Sequence, residues 1–471
     1  MVSLPSERLI SFSLPNPASV YLLLAVPYLI SLVLIIPPFQ IPDEGHHYLR
    51  SVSISEGRLL PSNDGQEGTG GAVDVSAVEF VKSFRYLFFN PNKKVTRDKL
   101  DQARMYDFKG PSAPTWFSAA TLYPPYAYAA PSAVLAAARA VGLSQLDGFR
   151  LARLANGLLV LVAASIAIAL TPRGKWFLVA LCLLPMFMAQ AAGISSDGAV
   201  FAISLVVVAM LARAAASSFL RPGTLMAMAG LVALVAAIRI PMIALALPLG
   251  VVGWCRLPMS GWGRGWTTGL AVAVAFLPPL LWTAVAVSGQ VDPRLLKSGA
   301  DAGMQVQYVL ANLALLPSIA WKTLAAHGAG YLFQFVGVLG WLDTPIDPLF
   351  GFSFYGFSAF VLVAVLAIDI SRRTHDGTLF SVAMAGAAIL SSALIFASLY
   401  VGWTPVGYPL VEGVQGRYFL PIAAVFGVAV AGQNWPPSER RDAVAAGLIA
   451  LFYTLSLPWV MWTLVKRYYL S

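Results

Sequence analysis

Apolar stretches close to the length of a bilayer-spanning helix alternate with short polar connections along most of the chain. A transmembrane helix needs roughly 20 mostly apolar residues. Such stretches lie near 18–37, 150–170, 176–193, 198–215, 223–238, 240–256, 266–288, 349–370, 378–400, 418–433 and 443–464. The pattern predicts an all-α polytopic membrane protein with about eleven transmembrane helices, forming one integral membrane domain over residues 1–471. The first stretch is too long for the apolar core of a signal peptide and has no clear small-residue cleavage site, so it is expected to stay as a helix. No internal repeat is visible, which leaves the inverted-repeat architecture of many secondary transporters without support.

Charge sets the expected orientation. With the N-terminus in the cytoplasm, the inner connections carry Arg173 and Lys175, Arg213 and Arg221, Arg256 and Arg264, Arg372 and Arg373, and Arg440 and Arg441. Every short inner loop is then basic, as the positive-inside rule demands. Counting the apolar segment 124–141 as a further span would turn these pairs outward, so it is expected to lie flat in the interface or to re-enter. The C-terminus then faces out, although Lys466 and Arg467 run against that. Two long segments, about 38–149 and 289–348, face the outside, with a shorter one over 401–417. Interfacial helices are expected in the first, around a Gly/Ser-rich centre, SNDGQEGTGGA (62–72), that reads as a flexible loop.

Composition narrows the class. Hydrophobic residues make up 58 % of the chain and charged residues 11 %, against roughly 45–50 % and about 25 % in soluble domains. Too few charges are present to coat soluble surfaces, which excludes a soluble enzyme, a disordered chain and a disulfide scaffold. The net charge of +9 does not mark a nucleic-acid partner. Much of the excess sits on the inner connections, and the first outer segment is nearly balanced. Cys182 and Cys255 lie in apolar runs without a CxxC pair and read as small buried hydrophobes.

The residues able to carry chemistry gather outside. The first outer segment opens with PDEGHHYLRSVSISEG (42–57), where Pro42 starts a helix and Asp43 and Glu44 suit its positive end. Asp43, His47 and Arg50 fall at i, i+4 and i+7 on one helical face. Two carboxylates at the mouth of the first transmembrane helix are costly to desolvate, which favours a functional carboxylate over a plain cap. His46 and His47 are metal-ligand types, so a divalent metal ion stands as an alternative to their orienting a carboxylate. Adjacent residues cannot all reach one ion, however.

Asp197, in AGISSDG (192–198), lies at the outward end of the third span. It either caps the next helix with Ser195 and Ser196 or adds a second acid to the same outer cavity. Arg239, in AIRIP, and Arg417, in QGRYFLP (415–421), are the candidate cations for a phosphate, because a planar guanidinium donates several hydrogen bonds. Interface snorkelling or a pair with Glu412 is the plainer account of Arg417. Lys297, Lys322 and His327 are weaker candidates on the second long segment. YPPYAY (123–128), with Tyr123, and GWLDTPIDP (340–348), with Asp343, read as membrane anchors or as the lining of a sugar or lipid cleft. Acids, arginines and aromatics over an apolar body suit a substrate with a lipid tail and a phosphate-bearing head. A carboxylate can take the proton of an acceptor hydroxyl, and an arginine can stabilise a departing phosphate.

The ordered motifs PDEGHHYLR with ISEG, YPPYAY, ARLAN, ISSDG, GWLDTP and QGRYFLP, from about residue 40 to 421, carry a resemblance. The chain looks like an uncharacterised bacterial family of predicted membrane proteins grouped with the GT-C superfamily of membrane glycosyltransferases. The resemblance implies an inverting transfer from a polyprenyl-phosphate-linked sugar donor to a glycan or lipid acceptor of the cell envelope. The site would face outward from the bacterial cytoplasmic membrane. Asp43 matches the family acid that activates the acceptor, with Glu44 beside it. Asp197 matches the second outward acid. Arg239 falls where many relatives carry a Lys before Pro, and Arg417 matches the Arg of the late motif; both would contact donor phosphate. His47 fits the usual His position, whereas Gly45 and His46 stand where relatives often show Pro and a small residue. Superfamily members with and without a divalent cation exist, so the resemblance leaves metal dependence open. Two other readings compete. A flippase or transporter of lipid-linked glycans needs polar residues through the bundle, and the spans near 150–170, 198–215 and 266–288 have few. A non-catalytic scaffold for envelope assembly would not need Asp43, Asp197 and Arg417.

Overall fold

The computed structural model describes residues 16–63, 68–347, 353–370, 375–431 and 439–470. Residues 64–67 of the Gly/Ser-rich centre, Pro348, Arg372, Arg373, the beginning of the 349–370 stretch, the end of 418–433 and the side chain of Lys297 lie outside the described residues.

The first helix, Pro17–Ile35, opens at Asn16, whose side chain accepts a hydrogen bond from the Ala18 N–H at 3.1 Å. It stops ahead of Pro37 and Pro38, because a residue preceding proline is pushed out of the helical region. Six described helices are long and apolar enough to cross a membrane. They are Pro17–Ile35, Gln145–Leu170, Ser196–Ala216, Gly261–Val287, Gly377–Gly402 and Glu439–Tyr468. A seventh candidate is a pair, Ala302–Ala311 and Leu313–Gly337, bent by 88°. Pro222–Ile238, Ile240–Arg256, Phe354–Asp369 and Gly416–Ala431 are shorter apolar helices.

The chain is thus a mostly helical, multi-pass membrane protein, but eleven unbroken spans are not what it shows. The stretch expected as one span over 176–193 is two short helices, Lys175–Cys182 and Pro185–Ala191. Pro185 has no N–H with which to continue the first. The segment 289–348, expected as a loop, contains the helix Leu316–Gly337, with Trp321, Leu324, Leu332 and Phe333 exposed along it. The all-α expectation is corrected too. Gly70–Asp74 pairs antiparallel with Ser112–Trp116, and Val338–Leu339 with Thr344–Pro345.

The first long polar segment folds down instead of lying loose. The helix Glu44–Ser55, expected to sit in the interface, is largely buried. Tyr48 joins Phe39, Phe80 and Phe149 in an aromatic cluster with ring centroids 4.8–5.9 Å apart. Each such ring adds roughly 1.5–3 kcal/mol of burial. The 124–141 segment forms a 3-10 turn, Pro125–Tyr128, and the helix Ala129–Ala140. At 12 residues that helix is too short to cross a bilayer. It packs on Glu44–Ser55 and on Gln145–Leu170.

Contacts between chain-distant residues define two ends of the bundle. At one end Trp176 donates to Asp442 at 3.0 Å and the Phe177 N–H to Asp369 at 3.4 Å. Arg173, Lys175, Arg213 and Arg441 lie close enough there to feel these acids and each other. At the opposite end the Tyr469 hydroxyl donates to the Ile35 carbonyl at 2.9 Å, and the Trp341 indole to the Phe39 carbonyl at 2.8 Å. Arg467 pairs with Asp343 at 3.0 Å and Lys466 with Asp347 at 2.9 Å.

Candidate functional site

At the Ile35–Phe39 end, six charged side chains from five separate segments form a continuous chain of ion pairs. Asp43 stands at its centre. It precedes the helix Glu44–Ser55 with a left-handed backbone, φ 62°, a conformation Asp tolerates better than most residues. Its carboxylate lies 3.6 Å from Arg417 on one side and 3.6 Å from Arg294 on the other. Both separations exceed a hydrogen bond, and the side chain is 29 % exposed. Among the described residues Asp43 is therefore held by charge alone, with no hydrogen bond to either carboxylate oxygen.

Arg417 links Asp43 to a second acid. One of its terminal nitrogens is 3.5 Å from Asp197 and donates to Gln190 at 3.1 Å. The other oxygen of Asp197 accepts from Arg239. Asp197 is buried, with one oxygen hydrogen-bonded by Arg239 and the other facing Arg417. The Ser195 hydroxyl beside it caps nothing. The helix Pro222–Ile238 presents Arg239 at its C-terminal end, and the 3-10 turn Gly416–Phe419 presents Arg417. Gly416 is required there, because a Cβ would run into the backbone of Tyr331 and Phe335. Both guanidiniums lie over the Tyr418 ring, 4.6 Å and 5.5 Å from its centroid. The Arg417 Nε and one terminal nitrogen of Arg239 are buried and make no hydrogen bond among the described residues.

Arg294 closes the other side. It grips Asp292 through both carboxylate oxygens and lies 5.2 Å over the Trp403 ring. Burial works against the ionised form of Asp292, but the Arg294 hydrogen bonds outweigh it and hold the carboxyl below the usual range. Asp43, Asp197 and Asp292 balance Arg239, Arg294 and Arg417, so the cluster is formally neutral. The Thr69 N–H donates to the Val291 carbonyl at 2.8 Å and Gln290 donates to the Ser118 carbonyl at 3.2 Å, which fixes the segment carrying Arg294.

Two histidines and two tyrosines line the cluster. The His47 Nδ1 shares a hydrogen bond with the Tyr128 hydroxyl at 2.7 Å, and its ring lies 5.8 Å from that of Tyr123. His46 sits edge-on to Trp116 at 5.1 Å. Burial lowers both imidazoles to about 4, so both are neutral at pH 7. Burial also pushes the Tyr123 hydroxyl up to about 12. The two imidazoles face different neighbours, and no group of three His, Cys, Asp or Glu side chains able to hold a metal occurs among the described residues.

A family described as "Predicted membrane protein (DUF2142)" matches residues 28–426, most of the chain and every residue of this cluster. The chain belongs to that family. No curated protein and no solved structure matches it. The family description states membrane character and assigns no activity.

Within the matched region, the structure brings Asp43, Asp197, Arg239, Arg417, His47 and Tyr123 together. Three other expected residues lie apart. Glu44 is fully buried and accepts two hydrogen bonds from Arg153, at 2.8 and 2.6 Å, and one from the Ile194 N–H at 3.0 Å. Gly193 makes room for that last contact, since a Cβ there would meet Ile41 at 2.6 Å. Arg50 sits one turn beyond His47 and donates to the Leu59 carbonyl at 2.7 Å. Asp343 accepts from Arg467, Thr344 and the Trp341 N–H, tying the GWLDTP loop to the last helix. Of the weaker candidates, Lys322 and His327 lie on Leu316–Gly337 and form no ion pair with this cluster among the described residues.

Sequence reasoning missed Arg294, Asp292, Arg153 and Gln190. Arg294 and Asp292 stand two residues apart in the second long segment with no motif around them. ARLAN was legible as a motif, yet nothing in it told that Arg153 would pair with Glu44.

Proposed function

We propose that the protein is a membrane glycosyltransferase of the GT-C type. It moves a sugar, with inversion, from a polyprenyl-phosphate-linked donor to a glycan or lipid acceptor of the cell envelope. One observation carries the reading: a half-open carboxylate, Asp43, adjoins the buried Arg417, which Asp197 links to Arg239, and both arginines have a buried nitrogen without a hydrogen bond among the described residues. Asp43 takes the proton of the acceptor hydroxyl. Arg239 and Arg417 hold the donor phosphate and stabilise the charge it gains on leaving. Tyr123 and neutral His47 lie beside these charged groups. The donor's isoprenoid chain lies along exposed apolar helices, of which Leu316–Gly337 is one that adjoins the site, since the Gly416 N–H donates to Gln334 at 2.9 Å.

The proposed topology has eleven crossings. These are the six long helices, the four shorter apolar helices and the broken pair Lys175–Ala191. The bent pair starts near Gly407, which donates to Gln305 at 2.9 Å, and ends near Phe39 through Trp341. It returns to the end it left, as a re-entrant element does. Arg173, Lys175, Arg213 and Arg441 share the end opposite Asp43, so positive-inside orientation puts the site outside. Lys466 and Arg467, which ran against this orientation, are paired with Asp347 and Asp343.

The test is transfer in proteoliposomes of cytoplasmic-membrane polyprenyl-phosphate sugars to envelope acceptors. Asp43→Asn is expected to lower turnover about 10²–10⁴-fold, the usual contribution of a general base. Turnover near wild type in that variant would remove Asp43 from the reaction.

A further inference from the structure

Arg417 faces both halves of the site at once. One terminal nitrogen is 3.6 Å from the half-buried acid Asp43. The other is 3.5 Å from the buried acid Asp197, which Arg239 also holds. The Nε between them is buried without a hydrogen-bond partner among the described residues. The two acids are not equivalent. Asp197 is buried and accepts a hydrogen bond from Arg239. Among the described residues Asp43 has neither oxygen in a hydrogen bond, and its two arginine neighbours stand 3.6 Å away.

We propose that Asp43 and the phosphate compete for the charge of Arg417, whose guanidinium is kept in place by Asp197 while the negative charge it stabilises shifts from the first to the second during the reaction. This deepens the transferase reading and rests on it. The acceptor hydroxyl gives its proton to Asp43, and its oxygen bonds to the anomeric carbon. The bond from that carbon to the phosphate oxygen breaks, and its electron pair stays on the phosphate. Asp43 goes from −1 to neutral while the phosphate goes from a monoanionic diester to a dianionic monoester. The total charge is unchanged, and one negative charge has moved across Arg417. The positive centre between the two positions stabilises the charge at either end without side-chain reorganisation.

The consequence is a sign that a merely structural Asp43 would not give. Removing its charge should tighten the binding of a lipid phosphate, because Arg417 loses a competing anion. Binding of a polyprenyl monophosphate is measured with full-length protein in nanodiscs of zwitterionic lipid. Inorganic phosphate serves as the competitor that separates headgroup recognition from recognition of the whole lipid. Asp43→Asn is expected to bind about ten-fold tighter than wild type, and Arg417→Gln at least ten-fold weaker. In the double variant the gain from Asp43→Asn should largely vanish, because it acts through Arg417. Arg417→Lys keeps the charge and checks that loss of binding is not loss of fold. Equal tightening with and without Arg417, or no tightening in Asp43→Asn, overturns the proposal. The cycle needs no turnover, so its failure is distinct from failure of the transfer assay.

Discussion

Asp43 and Glu44 are neighbours in one motif, and the structure predicts opposite responses to their removal. Glu44 is 0 % and Arg153 1 % exposed, and two hydrogen bonds at 2.8 and 2.6 Å join them. At an effective dielectric near 20 their attraction is on the order of 6 kcal/mol before desolvation. Glu44→Ala leaves Arg153 charged and buried with two donors unmet, and the Ile194 N–H without its acceptor. Breaking a buried pair in this way costs about 3–5 kcal/mol. Glu44→Gln costs less, because the amide carbonyl can still accept from Ile194 or Arg153, and the Ile36 and Pro37 carbonyls keep their bonds to the guanidinium. Asp43→Asn removes only loose contacts of a 29 % exposed side chain and should change stability by no more than about 1 kcal/mol. Thermal unfolding in detergent, read by tryptophan fluorescence and by size-exclusion recovery, should rank the variants Glu44→Ala, Glu44→Gln, Asp43→Asn, from least to most stable. Transfer per folded molecule should be lost in Asp43→Asn and retained in Glu44→Gln. If Glu44→Ala proved as stable as wild type, the structural assignment of this carboxylate would be refuted.

Two other outcomes follow from single contacts. Gly416→Ala drives a methyl group into the backbone of Tyr331 and Phe335. It should cost about 1–3 kcal/mol and displace Arg417, so both the melting midpoint and lipid-phosphate binding should fall; an unchanged affinity would contradict the close approach. Burial holds the His46 and His47 imidazoles at about 4, below the ordinary 6.5 of the unfolded chain. Their contribution is complete above about pH 6.5 and is lost as pH falls toward 4, where the unfolded state has taken up its protons first. A melting midpoint that stays flat from pH 7 to 4.5 would show that these rings are not buried as neutral groups.

Membrane character, the long polar segments and the residues worth examining were all legible in the chain. A period-free apolar run of bilayer length has one physical use, and a carboxylate or arginine at its edge is expensive enough to stand out. For that reason Asp43, Asp197, Arg239 and Arg417 could be singled out one at a time. Sequence could not place Arg294, because nothing local distinguishes it from an ordinary loop arginine; only the anchoring of its segment by Thr69 and Gln290 brings it to Asp43. Nor could sequence separate Asp43 from Glu44. Their side chains differ by one methylene, and their fates differ because Arg153, more than a hundred positions away, meets one and not the other. The same limit applied to helix continuity. Apolar content alone does not tell a straight span from the break at Pro185 or from the bent pair Ala302–Gly337, since both bury or expose the same kinds of side chain. What the sequence determined by itself was the solvent this protein lives in and the few charges it tolerates there. Which of those charges neutralise one another, and which are left for a ligand, was decided only when the tertiary fold set their distances, because electrostatic pairing depends on separation and burial that no linear pattern encodes.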